Sequence, residues 1–227
     1  MLELILASAL FVGSHFLISS TALRGRLVAA LGENLYRAFY SLLSAALLIW
    51  TGFAFGRAPV LPLFEPGLWR LLPVIVMPPA LLLLVAGITQ KNPTAALPGS
   101  PSEGADPAPG ILAVTRHPVM WAIGLWALAH LLANGDAAGT ILFGAMAVLA
   151  LGGTLAIDAR KRRDWGPEAW ARLQGASSNI PFLALFQGRA RTSLAEIGWW
   201  RIALALVLYG ALLYAHGFVF GVPAVSP

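Results

Sequence analysis

The chain predicts an all-α fold, a polytopic transmembrane helical bundle of about six spans, and three observations predict it. Of 227 residues, 58% are hydrophobic and 11% charged, with mean hydropathy +0.76; a soluble domain carries about 25% charged residues. Apolar runs recur at close to the roughly twenty residues that a helix needs to cross about 30 Å of hydrocarbon. These runs are continuous rather than alternating, which argues against a transmembrane barrel. One domain over residues 1–227 is the simplest organisation. The chain has no cysteine, so disulfides, thiolate metal ligands and cysteine redox chemistry are excluded. Its formal charge of +5 fits basic loops lying on a bilayer with anionic headgroups, with no nucleic acid as partner.

The first span is Leu2 to Ser20. Arg24 and Arg26 follow it rather than precede it, so it reads as an uncleaved helix and not as a secretory signal. His15 interrupts it beside Gly13 and Ser14. An ionisable residue inside a span is a functional candidate by default. A neutral imidazole hydrogen-bonded at a helix contact, with Ala9 and Gly13 allowing close approach, is the equal alternative. Residues 21–37 form a polar connection with Arg24, Arg26, Glu33, Asn34 and Arg37, leading to a second span over Ala38 to Phe55. A loop holding Pro59, Pro62 and Pro66 enters the third span, Leu68 to Ile88. Its Pro73 and Pro78-Pro79 each remove a helix hydrogen bond and predict a kink or break. Gln90 to Gly110 is rich in proline and glycine and reads as a loop.

The stretch from Gly110 to Asp136 organises the rest. Pro118 suits the first position of a helix, which puts His117 at its N-cap. The fourth span, Val119 to Leu132, is short for the bilayer and carries His130. The two histidines are thirteen residues, or roughly 20 Å, apart on different faces, so one ligand-sized site cannot use both. Asn134-Gly135-Asp136 predicts a tight hairpin into the fifth span, Ala138 to Ile157, where Gly144, Gly152 and Gly153 suit close packing. Asp158 to Leu173 is the most charged stretch. Pro167, Glu168 and Arg172 there predict a short amphipathic helix, Trp165 and Trp170 suit the interface, and Arg160 to Arg163 read as a stop-transfer cluster on lipid headgroups. Ile180-Pro181-Phe182 fits a surface segment, and the last span is Trp199 to Phe220, with His216 near its end. Connections 21–37, 89–118 and 158–201 hold 13 of the 15 Lys and Arg residues, leaving Arg57 and Arg70 opposite. The positive-inside rule makes those connections cytoplasmic and both termini periplasmic.

Gly13-Ser14-His15, the Gly32…Tyr36-Arg37 region, and Gly110…Arg116-His117-Pro118…Leu125-Trp126…His130…Asn134-Gly135-Asp136 together resemble the NnrU family of bacterial inner-membrane proteins, named for nitrite and nitric oxide respiration and related to 15-cis-zeta-carotene isomerase. The isomerase branch is taken to hold haem b through histidines. The resemblance implies His15 and His130 as axial metal ligands, with His117 as a third histidine of the pattern. It also implies a link to denitrification or to isomerase-like chemistry, with an apolar substrate or a respiratory protein as partner. A more distant resemblance is to isoprenylcysteine and phospholipid methyltransferases, through Arg116-His117-Pro118, Asp158, Trp165-Gly166, Glu168 and Ile180-Pro181. It implies S-adenosylmethionine held by Arg116, His117 and Asp158. Ile157 stands where that family has a second carboxylate, and Val119-Met120 where it has an aromatic residue, so weak or absent binding of that cofactor is expected.

Apart from any family, neutral imidazole is a common iron ligand, and a membrane interior offers the apolar pocket a porphyrin needs. His15 lies about 9 Å and His130 about 18 Å from the basic side at 1.5 Å per residue, a mismatch that tilt must absorb. Trp126 and Ile123 form an apolar wall on the His130 face, as suited to helix packing as to a flat ring. Two imidazole ligands predict six-coordinate, low-spin iron. His216, within Tyr214-Ala215-His216-Gly217, matches no part of the pattern. Three readings follow: a haem-binding enzyme or redox protein, a methyltransferase, and a non-enzymatic accessory protein.

Overall fold

The computed structural model describes residues 1–94 and 107–224. Of the proline-rich loop expected over Gln90 to Gly110, residues 95–106 lie outside the described residues. The helices are α1 (Leu2–Ser20), α2 (Ala22–Leu31), α3 (Glu33–Arg57), α4 (Leu72–Thr89, entered through a 3-10 turn at Gly67–Leu71) and α5 (Ile111–Val114). They continue with α6 (Pro118–Asn134), α7 (Ala137–Ala176), α8 (Leu183–Phe186), α9 (Leu194–Ile197) and α10 (Trp199–Phe220). Five stretches are long and apolar enough to cross a membrane: α1, α3, the 3-10 turn with α4, α7 and α10. The sixth, α6, has 17 residues and spans about 25 Å, just short of the hydrocarbon layer. Large apolar side chains such as Leu42, Phe53, Ile75, Leu155 and Phe218 point outward, as expected where the solvent is lipid.

Lipid tails are as apolar as leucine, so such helices are held by close packing and by polar contacts. The centre is α4 on α6 and α6 on α7, with α1 packed on α7 and α3, and α10 on α4. A Cβ at Gly152 would press on the Phe16 ring, and one at Gly153 on the Met120 methyl. Those two glycines set the approach of α7 to α1 and α6. Gly144 and Gly13, also candidates for close packing, face open space instead.

Pro78 and Pro79 do not break α4, which stays helical from Leu72 to Thr89. The reason lies partly in α10. Proline at 78 withdraws the N–H that would meet the Val74 carbonyl four residues earlier, and the Tyr209 hydroxyl donates to that carbonyl at 3.0 Å. A neighbouring helix thus supplies the hydrogen bond that the span itself cannot.

Two further expectations change. The polar connection over 21–37 is helical: α2 starts on a Thr21 cap and ends at Gly32, whose φ of +78° lets α3 begin at once. Its Ala, Leu and Arg content carries high helix propensity despite the charge. The fifth span and the charged stretch are one rod as far as Trp165. Non-helical Gly166 (φ +79°) separates it from a last segment opening on Pro167, the short helix expected there. The α6–α7 hairpin closes through left-handed Gly135 (φ +69°), and the Asp136 side chain accepts from the Gly139 N–H at 2.8 Å. Leu63 and Phe64 N–H groups donate to the Gly135 carbonyl at 2.9 and 3.1 Å, so the proline loop straps that turn. At this same end Glu3 accepts from Trp50 and Arg57 at 3.0 and 2.8 Å, tying the start of α1 to α3.

Candidate functional site

At the opposite end, where the basic connections lie, α1, α3, α6 and α7 enclose a cavity of about 340 Å³. Its apolar walls include Phe16, Val119, Met120, Leu149 and Gly153, and its polar groups are His15, Ser19, Tyr40, Asn92, Thr94, His117 and Arg160. His15, Phe16 and Ser19 lie near the end of α1, Val119 and Met120 at the start of α6, and Asn92 and Thr94 in the segment after α4, so the cavity lies toward the basic end of the bundle.

His15 is held by its own helix. Nδ1 lies 2.7 Å from the Phe11 carbonyl; a carbonyl only accepts, so Nδ1 carries the proton and Nε2 the lone pair. Phe11 and Tyr40 meet the ring edge-on, with centroids 4.6 and 5.5 Å away. An imidazole fixed through Nδ1 with Nε2 left open is the usual arrangement of a histidine that ligates a metal. Arg160, half-buried in the wall, makes no ion pair among the described residues. Asp164, one turn on, acts on it favourably and Arg24 unfavourably.

Arg116, His117 and Asp158 adjoin this cavity and are arranged differently. Arg116 donates from Nε to the two carboxylate oxygens of Asp158 at 2.9 and 3.1 Å, and from a terminal nitrogen to one of them. His117 Nε2 lies 2.6 Å from Oδ1 of the same carboxylate, the oxygen that also accepts from Arg116 Nε at 2.9 Å. The side chains are 9%, 1% and 15% exposed for Arg116, His117 and Asp158, and the Trp170 ring lies 5.4 Å from the guanidinium. Burial holds the His117 imidazole below its ordinary value, against the opposing pull of Asp158. The ring is therefore neutral near pH 7 and donates Nε2–H to the carboxylate. It sits at the N-cap position of α6 but makes no side-chain cap. The turn is pinned further by Asn179: the Thr115 hydroxyl donates to its carbonyl at 2.6 Å, Trp121 to its side-chain oxygen at 3.2 Å, and its amide donates to Thr154 at 2.9 Å.

His130 and Trp126 lie outside this cavity lining. His130 Nδ1 is bound to the Trp126 carbonyl at 2.8 Å, the same arrangement as His15. Its ring neighbours are Trp126, Phe143 and His216, with centroids at 5.7, 5.3 and 6.5 Å. Phe11, Ala127, Met146 and Ala147 form one packed layer, with Trp126 against it. His15 lies one turn to the basic side of Phe11 and His130 one turn to the other side of Trp126, roughly 6 Å along each axis. The structure thus brings His15 together with His117 and Arg160, and His130 with His216.

Sequence reasoning passed over Tyr40, Arg160 as a cavity residue, Asn179 and the His130–His216 pair. Only Asn179 carried a local signal, in the polar run Ser177-Ser178-Asn179 ahead of Ile180-Pro181. Among the described residues no group of three or more His, Asp or Glu side chains stands ready to hold a bare metal ion. No curated protein and no solved structure matches this chain. The family model described as NnrU protein matches residues 3–224, and the chain therefore belongs to the NnrU family of membrane proteins.

Proposed function

We propose that this NnrU protein binds haem b in the cavity at its basic end, where His15 would hold the iron. It would serve nitrite and nitric oxide metabolism, or a haem-dependent isomerisation, in a bacterial inner membrane. The observation that carries the reading is His15 itself: an intramembrane imidazole whose Nδ1 is tied to the Phe11 carbonyl and whose ring lines a largely apolar cavity. A membrane places a lone imidazole there at a cost, and iron is what such a nitrogen binds well. Haem would supply an iron centre able to bind a diatomic or exchange an electron. The chain's own residues would hold the ring and keep water from it, through Phe16, Met120 and Leu149.

Coordination follows from placement. His117 spends Nε2 on Asp158, and His130 lies beyond the Phe11–Trp126 layer. With that layer closed, His15 would be the one imidazole with a free nitrogen facing the cavity, and the loaded protein would be expected to give a high-spin spectrum. His130 becomes a second ligand only if the layer parts. The methyltransferase reading gains no support, because Arg116, His117 and Asp158 satisfy one another. The split of basic residues supports a cytoplasmic cavity end and periplasmic termini. An absorption spectrum of detergent-purified protein tests the proposal: a Soret band in the wild type that is lost in His15→Ala is expected. Its persistence in fully loaded His15→Ala would overturn it.

A further inference from the structure

Arg160 raises a question that His15 does not answer. A guanidinium is always charged and takes the fork of a carboxylate or phosphate. In helical membrane proteins such a group pairs with another or faces a ligand path. The other cations near it are spoken for or exposed, and buried Lys161, which lies over the Trp165 ring at 4.9 Å, is outside the cavity lining. Arg24 and Arg37 share Glu33 at 2.9 and 3.0 Å, Arg116 holds Asp158, and Arg162 and Arg163 face outward. Arg160 alone lines the cavity, half-buried, with no carboxylate within ion-pair distance among the described residues. Asp164, one turn on along the same helix, acts on it favourably without forming an ion pair. The same cavity is lined by the polar side chains of Tyr40, Asn92 and Thr94 and by the apolar ones of Phe16, Met120 and Leu149. A cation and hydrogen-bonding groups sharing a cavity with apolar walls describe one kind of guest.

We infer that the cavity takes an amphiphile with an anionic head, the head meeting Arg160 and the apolar body lying along Phe16, Met120 and Leu149. The head is a carboxylate or a phosphate monoanion or diester. It belongs either to the side chains of a porphyrin, in which case the inference rests on the haem reading, or to a lipid, in which case it does not.

Two titrations of the detergent-purified full chain separate the sources. In the first, haemin and its dimethyl ester, which lacks the carboxylates, are titrated into wild type, Arg160→Gln, Arg160→Lys and His15→Ala by absorption. In the second, phosphatidylglycerol and a diacylglycerol of the same chains, which lacks the phosphate, are compared by native mass spectrometry on the same proteins. A charge-assisted bond of this kind is expected to give a loss of tenfold or more for an anion in Arg160→Gln. The expected result is that loss for haemin or for phosphatidylglycerol, recovery in Arg160→Lys, and no change for the matching neutral ligand. Loss for haemin assigns the porphyrin; loss for phosphatidylglycerol alone assigns the lipid. Haemin binding unaffected by His15→Ala overturns the haem reading and leaves the lipid titration to decide this one. Unchanged affinity for both anions in Arg160→Gln, or an equal loss for the neutral ligands, overturns the inference. Melting curves of the variants matching wild type exclude misfolding as the cause.

Discussion

Two neighbouring sets of polar side chains sit at the basic end of this bundle, and they are built on opposite lines. Arg116, His117 and Asp158 close on one another: a forked guanidinium, a neutral imidazole and a carboxylate share their hydrogen bonds, and Trp170 covers one face. His15 and Arg160 are left open. The first has one nitrogen tied to its own helix, the second has no ion-pair partner among the described residues, and both line a cavity. Polar groups that satisfy each other hold helices in place; polar groups held rigid but left unsatisfied are those available to a ligand. The contrast matters because sequence motifs draw the eye to the closed set.

The sharpest way to break the contrast is at Asp158. Asp158→Ala strands a buried guanidinium beside a buried imidazole, and should destabilise the protein by about 3–5 kcal/mol, since removing one partner of a buried pair leaves the other charge uncompensated. Loss of monodisperse protein on mild heating, by size-exclusion chromatography in detergent, is the expected result. Wild-type survival would mean that the cluster does not hold α6 to α7. His15→Ala and Arg160→Gln should each move stability by less than about 1 kcal/mol, the range of single polar contacts in membrane helices, while they remove ligand binding.

A smaller effect tests the helix repair. Tyr209→Phe removes the donor to the Val74 carbonyl and should destabilise by about 0.6 kcal/mol, the mean for interhelical hydrogen bonds in membranes, with about 1.7 as the upper end. A neutral result in denaturant titration would show that α4 tolerates Pro78 unaided.

The last effect is a slope. Because burial lowers the His117 value from 6.5, the unfolded chain takes up a proton at a pH where the native protein does not. Stability is then fully present above about pH 6.5 and falls as pH drops below it, by at most about 1.4 kcal/mol per pH unit. Melting temperature from pH 8 to 5.5 should decline on the acid side, and His117→Gln should flatten the decline. An unchanged slope in His117→Gln would assign the pH dependence elsewhere.

Much of the bundle is legible in the chain because lipid imposes simple rules. Length and hydropathy place five spans, Pro118 marks the start of α6, and Asn134-Gly135-Asp136 marks the hairpin that Gly135 closes with positive φ. The misreadings have identifiable causes. Residues 21–37 look like a loop by charge, yet Ala22 to Leu31 is rich in helix formers. Pro78-Pro79 looks like a break, because the Tyr209 hydroxyl that repairs it is over a hundred residues away. The site was half legible. His15, His117 and Asp158 stand out as rare polar residues in or beside apolar runs, but that His117 is consumed by Asp158 while His15 is not depends on where α7 crosses the turn. Tyr40, Arg160 and the nearness of His216 to His130 depend on helix rotation, which a featureless apolar sequence does not encode.

The central claim is that the open set, not the closed one, holds the ligand, and the absorption spectrum of purified, haem-loaded protein tests it most directly. Wild type should show a Soret band with high-spin character, His15→Ala should lose it, and His130→Ala should keep it. A low-spin spectrum that survives His15→Ala would contradict the account.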